Sequence, residues 1–90
     1  MDHVEQLNQK LRKDPLDRET WGVLADAYFS IGDERNGNGC RYLFESPEKL
    51  NSMCGFWRRD VERMRMHAAQ LYLYWETYEQ YVKPRIHKTL

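Results

Sequence analysis

SPEKLNSMCGFWRRDVERMRMHAAQLYLYWETYEQYV, residues 46–82, is the stretch on which the fold turns. It opens on Ser46-Pro47-Glu48: a capping residue, a proline at the first helical position and an acid in the first turn. Leu50, Cys54, Trp57, Val61, Met64, Ala68, Leu71, Trp75, Tyr78 and Val82 then recur at alternating spacings of four and three. That is a heptad pattern, the signature of a helix with one continuous apolar seam. No proline interrupts it before Pro84, and Gly55 is the one weak helix former inside it. An unbroken helix over residues 47–82 would be a rod about 54 Å long at 1.5 Å per residue.

Upstream, Val4, Leu7 and Leu11 repeat at three and four and predict a helix over 3–13, ended by Asp14-Pro15. Asp17 is placed to cap a second helix, with Glu19 in its first turn and Trp21, Leu24, Ala25, Tyr28 and Ile31 on one face. Gly32 closes it and Asp33 opens a third segment. Asn36-Gly37-Asn38-Gly39 is poor helix material and reads equally as a turn, while Cys40, Leu43 and Phe44 restore an apolar face. The expectation there is a short or frayed helix ending near Glu45. No segment alternates apolar and polar residues with β-branched enrichment, so the chain reads as all-α.

The 90 residues suffice for one domain but not for two. Fourteen basic and fourteen acidic side chains cancel, which argues against a general polyanion binder. The cancellation hides a division: residues 1–49 carry ten acids and seven bases, residues 50–90 four acids and seven bases. Opposite poles can orient a partner or favour self-association, although a solvated surface with a chance excess of three charges explains them as simply. Two cysteines cannot form a disulfide scaffold. No run approaches the length of a membrane span, and Met1-Asp2-His3-Val4-Glu5 lacks the order of a secretion signal. The expectation is a small soluble, cytoplasmic domain.

Residues 14–33, with Asp14-Pro15, Trp21, Leu24, Ala25, Tyr28 and Gly32, resemble a tetratricopeptide repeat. Ala25-Asp26 followed by Gly32-Asp33-Glu34-Arg35, with Arg41 downstream, is also similar to a short bacterial repeat-companion domain often found beside leucine-rich repeats. The resemblance covers about a third of the chain and has no tandem copy. It implies an αα-hairpin used for protein contact, and it carries over no catalytic residue. Solenoid repeats need about three units to bury a core, so the long helix must supply the missing surface.

Little here points to chemistry. His3, His67 and His87 lie at no ligand spacing from one another or from a cysteine, and Cys40 and Cys54 lack paired zinc spacing, so neither metal nor cofactor is expected. Both cysteines read as small core residues. Asn36-Gly37-Asn38-Gly39 can form an anion-binding nest of amides, but no phosphate-loop lysine follows, and a surface loop is the simpler reading. No phosphate loop, nucleophile elbow or acid–base pair is present, so no enzymatic activity is expected. Arg58, Arg59, Arg63 and Arg65, beside Phe56 and Trp57, could contact a polyanion, with Asp60 and Glu62 diluting their field.

The second half of the long helix is more informative. Tyr72, Leu73, Tyr74 and Tyr81 lie outside the seam that holds Trp75 and Tyr78, so the helix is apolar around most of its girth from 71 to 82. Such a helix is buried on several sides, and 45 preceding residues are too few to wrap it. The expected architecture is one domain over 1–90: a helical hairpin region over 1–45 with a short N-terminal helix, a long helix over 46–83 and a tail over 84–90. The expected function is a non-enzymatic interaction module of adaptor, chaperone-like or phage- or plasmid-type inhibitor kind, most simply a twofold dimer. Trp57, Val61, Met64, Leu71, Trp75 and Tyr78 would form its association seam, flanked by Tyr72, Tyr74 and Tyr81. The alternative is a nucleic-acid-associated regulator using the four arginines.

Overall fold

The computed structural model describes residues 2–82, the last two by their backbone alone. The described residues form five helices: α1 (His3–Lys13), α2 (Arg18–Ser30), α3 (Glu34–Glu45), α4 (Pro47–Trp57) and α5 (Val61–Thr77), which runs on into a π-helical turn, Tyr78–Val82. There is no strand among the described residues, and the chain is all-α.

Local chemistry sets most helix ends. Asp2, Asp17, Asp33 and Asp60 each sit at an N-cap, and each side chain accepts a hydrogen bond from the amide three residues on. Ser46 is the exception: its side chain makes no cap hydrogen bond, and Pro47 alone marks the start of α4. The end of α2 follows the sequence closely. Gly32 takes φ +81°, its amide donates to the Phe29 carbonyl at 3.1 Å, and the Asp33 amide donates to the Tyr28 carbonyl at 2.9 Å. This paired closure needs a left-handed residue, which glycine adopts without strain.

The Asn-Gly segment is neither a turn nor an amide nest. It lies inside α3, twelve residues long, and both of its glycines are buried. Packing explains why a poor helix former is helical here. A Cβ on Gly37 would stand 2.7 Å from the Phe29 ring, and one on Gly39 would collide with the Arg65 carbonyl oxygen. The glycines let α2 and α5 approach α3 from two sides, and burial on both flanks outweighs a propensity cost of about 1 kcal/mol per glycine.

The heptad stretch corrects the long-helix expectation. It is two helices, broken at Arg58-Arg59-Asp60 rather than at Gly55. Arg58 has φ 56° and ψ −115°, and it is the one non-glycine with positive φ among the described residues. A non-glycine held there costs about 1–3 kcal/mol. The turn repays that cost by folding α5 back onto the body, where Val61, Met64 and Ala68 are at most 1% exposed.

Asn36 and Gly39 of α3 meet Arg65 and Ala69 of α5, and further along Tyr42 and Glu45 line one cavity with Tyr72 and Trp75. The pairs advance together, so α3 and α5 run side by side in the same direction and α4 is the return stroke between them. The core gathers Leu11, Trp21, Leu24, Tyr28, Cys40, Leu43, Leu50, Met53, Val61 and Met64 from all five helices. Trp21 is fully buried, with its indole N–H donating to the Pro15 carbonyl at 2.8 Å.

Candidate association surface

The heptad seam divides in two. Val61 and Met64, expected to meet a partner, are buried in the chain's own core, so they leave the association seam. Trp57 and Leu71 are half-buried and pack against that core. Trp75 and Tyr78 are 58% and 42% exposed, with rings stacked at 6.3 Å between centroids. Of the expected flank, Tyr74 is 76% exposed and Tyr72 is half-buried, while the Tyr81 side chain lies outside the described residues.

Helix lengths explain the division. At twelve residues, α3 extends about 18 Å, whereas α5 with its π turn extends about 30 Å. The two helices start together, and α3 ends opposite Trp75. Beyond that point α5 has no neighbour from α3, which leaves Tyr78 exposed, whereas Leu73 and Tyr74 are exposed alongside α3 on another side of α5, together with Gln70 and Thr77.

Beyond the expected seam and flank, α4 and α5 expose three more apolar residues, Phe56, Met66 and Leu73, at 74%, 54% and 53%, and Leu16, Val23 and Ile31 are exposed elsewhere on the chain. Met66 and Leu73 are seven apart, with Tyr74 adjacent, and form a second stripe on the outer face of α5. The heptad through Val61 and Met64 was the stronger periodic signal and obscured this weaker one. Phe56 edges against Trp57 at 4.7 Å and lines a groove of about 570 Å³ between α4 and α5, with Met53, His67 and Leu71.

The arginine cluster is not a single surface. Arg65 is 9% exposed. Its Nη1 donates to Asn8 Oδ1 at 2.8 Å, its Nε donates to Asn36 Oδ1 at 3.0 Å, and its guanidinium lies 5.1 Å from the Tyr28 ring centre. Asn36 in turn donates to the Asp33 carboxylate at 2.7 Å, so the buried cation reaches a carboxylate through one amide. Arg65 therefore holds α1, α3 and α5 together and is withdrawn from any polyanion. Arg63 pairs with Asp60 at 3.3 Å and covers the Trp57 ring. Arg58 and Arg59 are exposed at the hinge.

Among the described residues no group of three or more His, Cys, Asp or Glu side chains could hold a metal ion, and no helix is long and apolar enough to cross a membrane. Both cysteines are free thiols. Burial pushes the Cys40 thiol up to about 12, against a smaller lowering by Arg65, and raises that of half-buried Cys54. The buried Cys40 thiol is thereby held protonated and unreactive near neutrality.

No protein-family model matches the chain, and no curated protein and no solved structure is significantly similar to it.

Proposed function

We propose that this chain is a non-enzymatic protein–protein interaction module that associates with a second copy of itself through the outer end of α5, most simply as a twofold dimer. The observation that carries this reading is the exposure of Leu73, Tyr74, Trp75 and Tyr78, each at least 42% accessible, close together near the C-terminal end of α5. Tyrosine and tryptophan dominate binding hot spots because they bury large area at low entropic cost. Grouped apolar exposure of this kind marks an interaction surface rather than ordinary solvent-facing residues. Burial of Trp21, Leu24, Ala25 and Tyr28 on the inner face of α2 supports reading the α2–α3 hairpin as a single tetratricopeptide-like unit that serves as scaffold. A cytoplasmic adaptor, chaperone-like or inhibitor role accords with this reading.

Light scattering of the purified chain at tens of micromolar tests it. The wild type is expected as a dimer. The Tyr74→Ala, Trp75→Ala double variant, whose side chains are mostly outside the core, is expected as a monomer with unchanged helical circular dichroism. A wild type that is strictly monomeric at these concentrations rejects self-association.

A further inference from the structure

The hinge between α4 and α5 has the features of a segment that prefers another conformation. Arg58 holds φ 56°, in the left-handed region, without being a glycine. The three hinge residues, Arg58-Arg59-Asp60, include neither glycine nor proline, and arginine is a strong helix former. The apolar register passes through the hinge without a slip: Leu50, Cys54, Trp57, Val61, Met64 and Ala68 keep their spacing of four and three. A straight helix through these residues satisfies every local preference that the bent form violates.

Straightening would carry α5 away from its own body, because α4 runs back along α3 and α5 reverses again. The vacated face of α3 is specific for what left it. Gly39 admits the Arg65 backbone, and Asn8 and Asn36 accept from the Arg65 guanidinium. The one segment that fits this face is another α5 of the same sequence. We propose that the α4–α5 hinge opens into a continuous helix and that two copies of the chain exchange α5, each completing the other's core. The proposal rests on the self-association reading above but places the contact between copies at the exchanged α5 rather than at its exposed aromatic side chains. Every α5 contact is remade between chains, so the balance turns on the hinge: the dimer sheds the Arg58 strain and replaces the Asp60 cap with continuous backbone hydrogen bonds. Short strained hinges favour such exchange.

The test uses the full chain, refolded slowly at high concentration and followed by light scattering across a dilution series. Arg58→Gly relieves the strain of the closed hinge and weakens the open helix in both chains of the dimer, so it should lower the dimer association constant by about a hundredfold or more. Asp60→Ala removes a cap that only the closed form uses, once in each of the two chains, and should raise the constant about thirtyfold. Same-chain distance is read by pulsed electron spin resonance in a Cys54→Ser background, with buried Cys40 unlabelled. Labels are attached at Asn51→Cys and Gln70→Cys, and the labelled chain is diluted into unlabelled protein. In the exchanged dimer they should lie about 28 Å apart along one helix, farther than in the closed monomer, where α5 folds back along α4. A dimer abolished by Tyr74→Ala, Trp75→Ala, insensitive to both hinge variants and showing only the short distance, overturns helix exchange and leaves the aromatic-face dimer standing. Wild type and Asp60→Ala that both stay monomeric up to millimolar concentration overturn both.

Discussion

Gly39 and Arg65 meet across the α3–α5 interface so closely that a Cβ on the glycine would collide with the arginine's carbonyl oxygen. Replacing Gly39 with alanine should therefore destabilise the protein by about 2–3 kcal/mol, even though helix propensity alone favours alanine by about 1 kcal/mol. Gly55 has nothing within 4 Å of its Cβ position and supplies the contrast. Gly55→Ala should stabilise by about 0.5–1 kcal/mol. Urea denaturation of the two variants reads both signs; a neutral Gly39→Ala would mean that the two helices are not in this close contact.

The Arg65 side chain gives a second test. Arg65→Met would leave the Asn8 and Asn36 side-chain oxygens without the donor that satisfies them, at a cost of about 2–4 kcal/mol. Arg63→Met removes an exposed pair with Asp60 and should stay within about 0.5 kcal/mol of wild type. Equal losses from the two variants in thermal or chemical unfolding would remove Arg65 from its role as the joint between α1, α3 and α5.

Cys40 predicts a pH dependence at the alkaline end. Its thiol is raised by burial from an ordinary value of 9.0 to about 12 in the folded state. Below pH 9 both folded and unfolded forms hold the proton, and the group leaves stability unchanged. Between pH 9 and 12 the unfolded chain loses the proton first, so stability should fall as pH rises through that window. Cys40→Ala should flatten the fall. At pH 8 a thiol reagent should modify Cys40 only on unfolding, and rapid labelling of native Cys40 would contradict its burial.

Asp17 predicts the acid end. Its carboxylate accepts from the Thr20 hydroxyl at 2.7 Å and the Thr20 amide at 3.3 Å, and chiefly the hydroxyl bond lowers its pKa below the ordinary 3.8. That stabilisation is present above pH 3.8 and is lost as pH falls through the lower folded value. Asp17→Ala should cost about 1 kcal/mol at pH 7 through the lost cap. The gap between variant and wild type should narrow as the solution is acidified below pH 3.8. A gap that stays constant down to pH 2 would show that the cap does not depend on the charge.

Much of this architecture was legible in the residues. The all-α class, the caps at Asp17 and Asp33, and the glycine closure at Gly32 follow from preferences that act within one turn of chain. So does the inner face of α2 at Trp21, Leu24, Ala25 and Tyr28, where apolar spacing and burial coincide; Ile31, expected on the same face, is 67% exposed because α2 ends at Ser30 and Ile31 is its C-cap. Such signals are local, and a sequence states them directly.

Tertiary structure decided the rest. Periodicity along residues 46–82 specifies one apolar seam but not what covers it, and a bent seam packed on its own chain has the same pattern as a straight one packed on a partner. The bend at Arg58 arises because burying Val61, Met64 and Ala68 outweighs the strain of one residue. Asn36-Gly37-Asn38-Gly39 is helical because two neighbouring helices need the space its small residues leave. Arg65 left the surface because two asparagines distant in sequence converge on it. In each case the deciding energy lies in contacts between residues far apart along the chain, and those contacts exist only once the helices are docked.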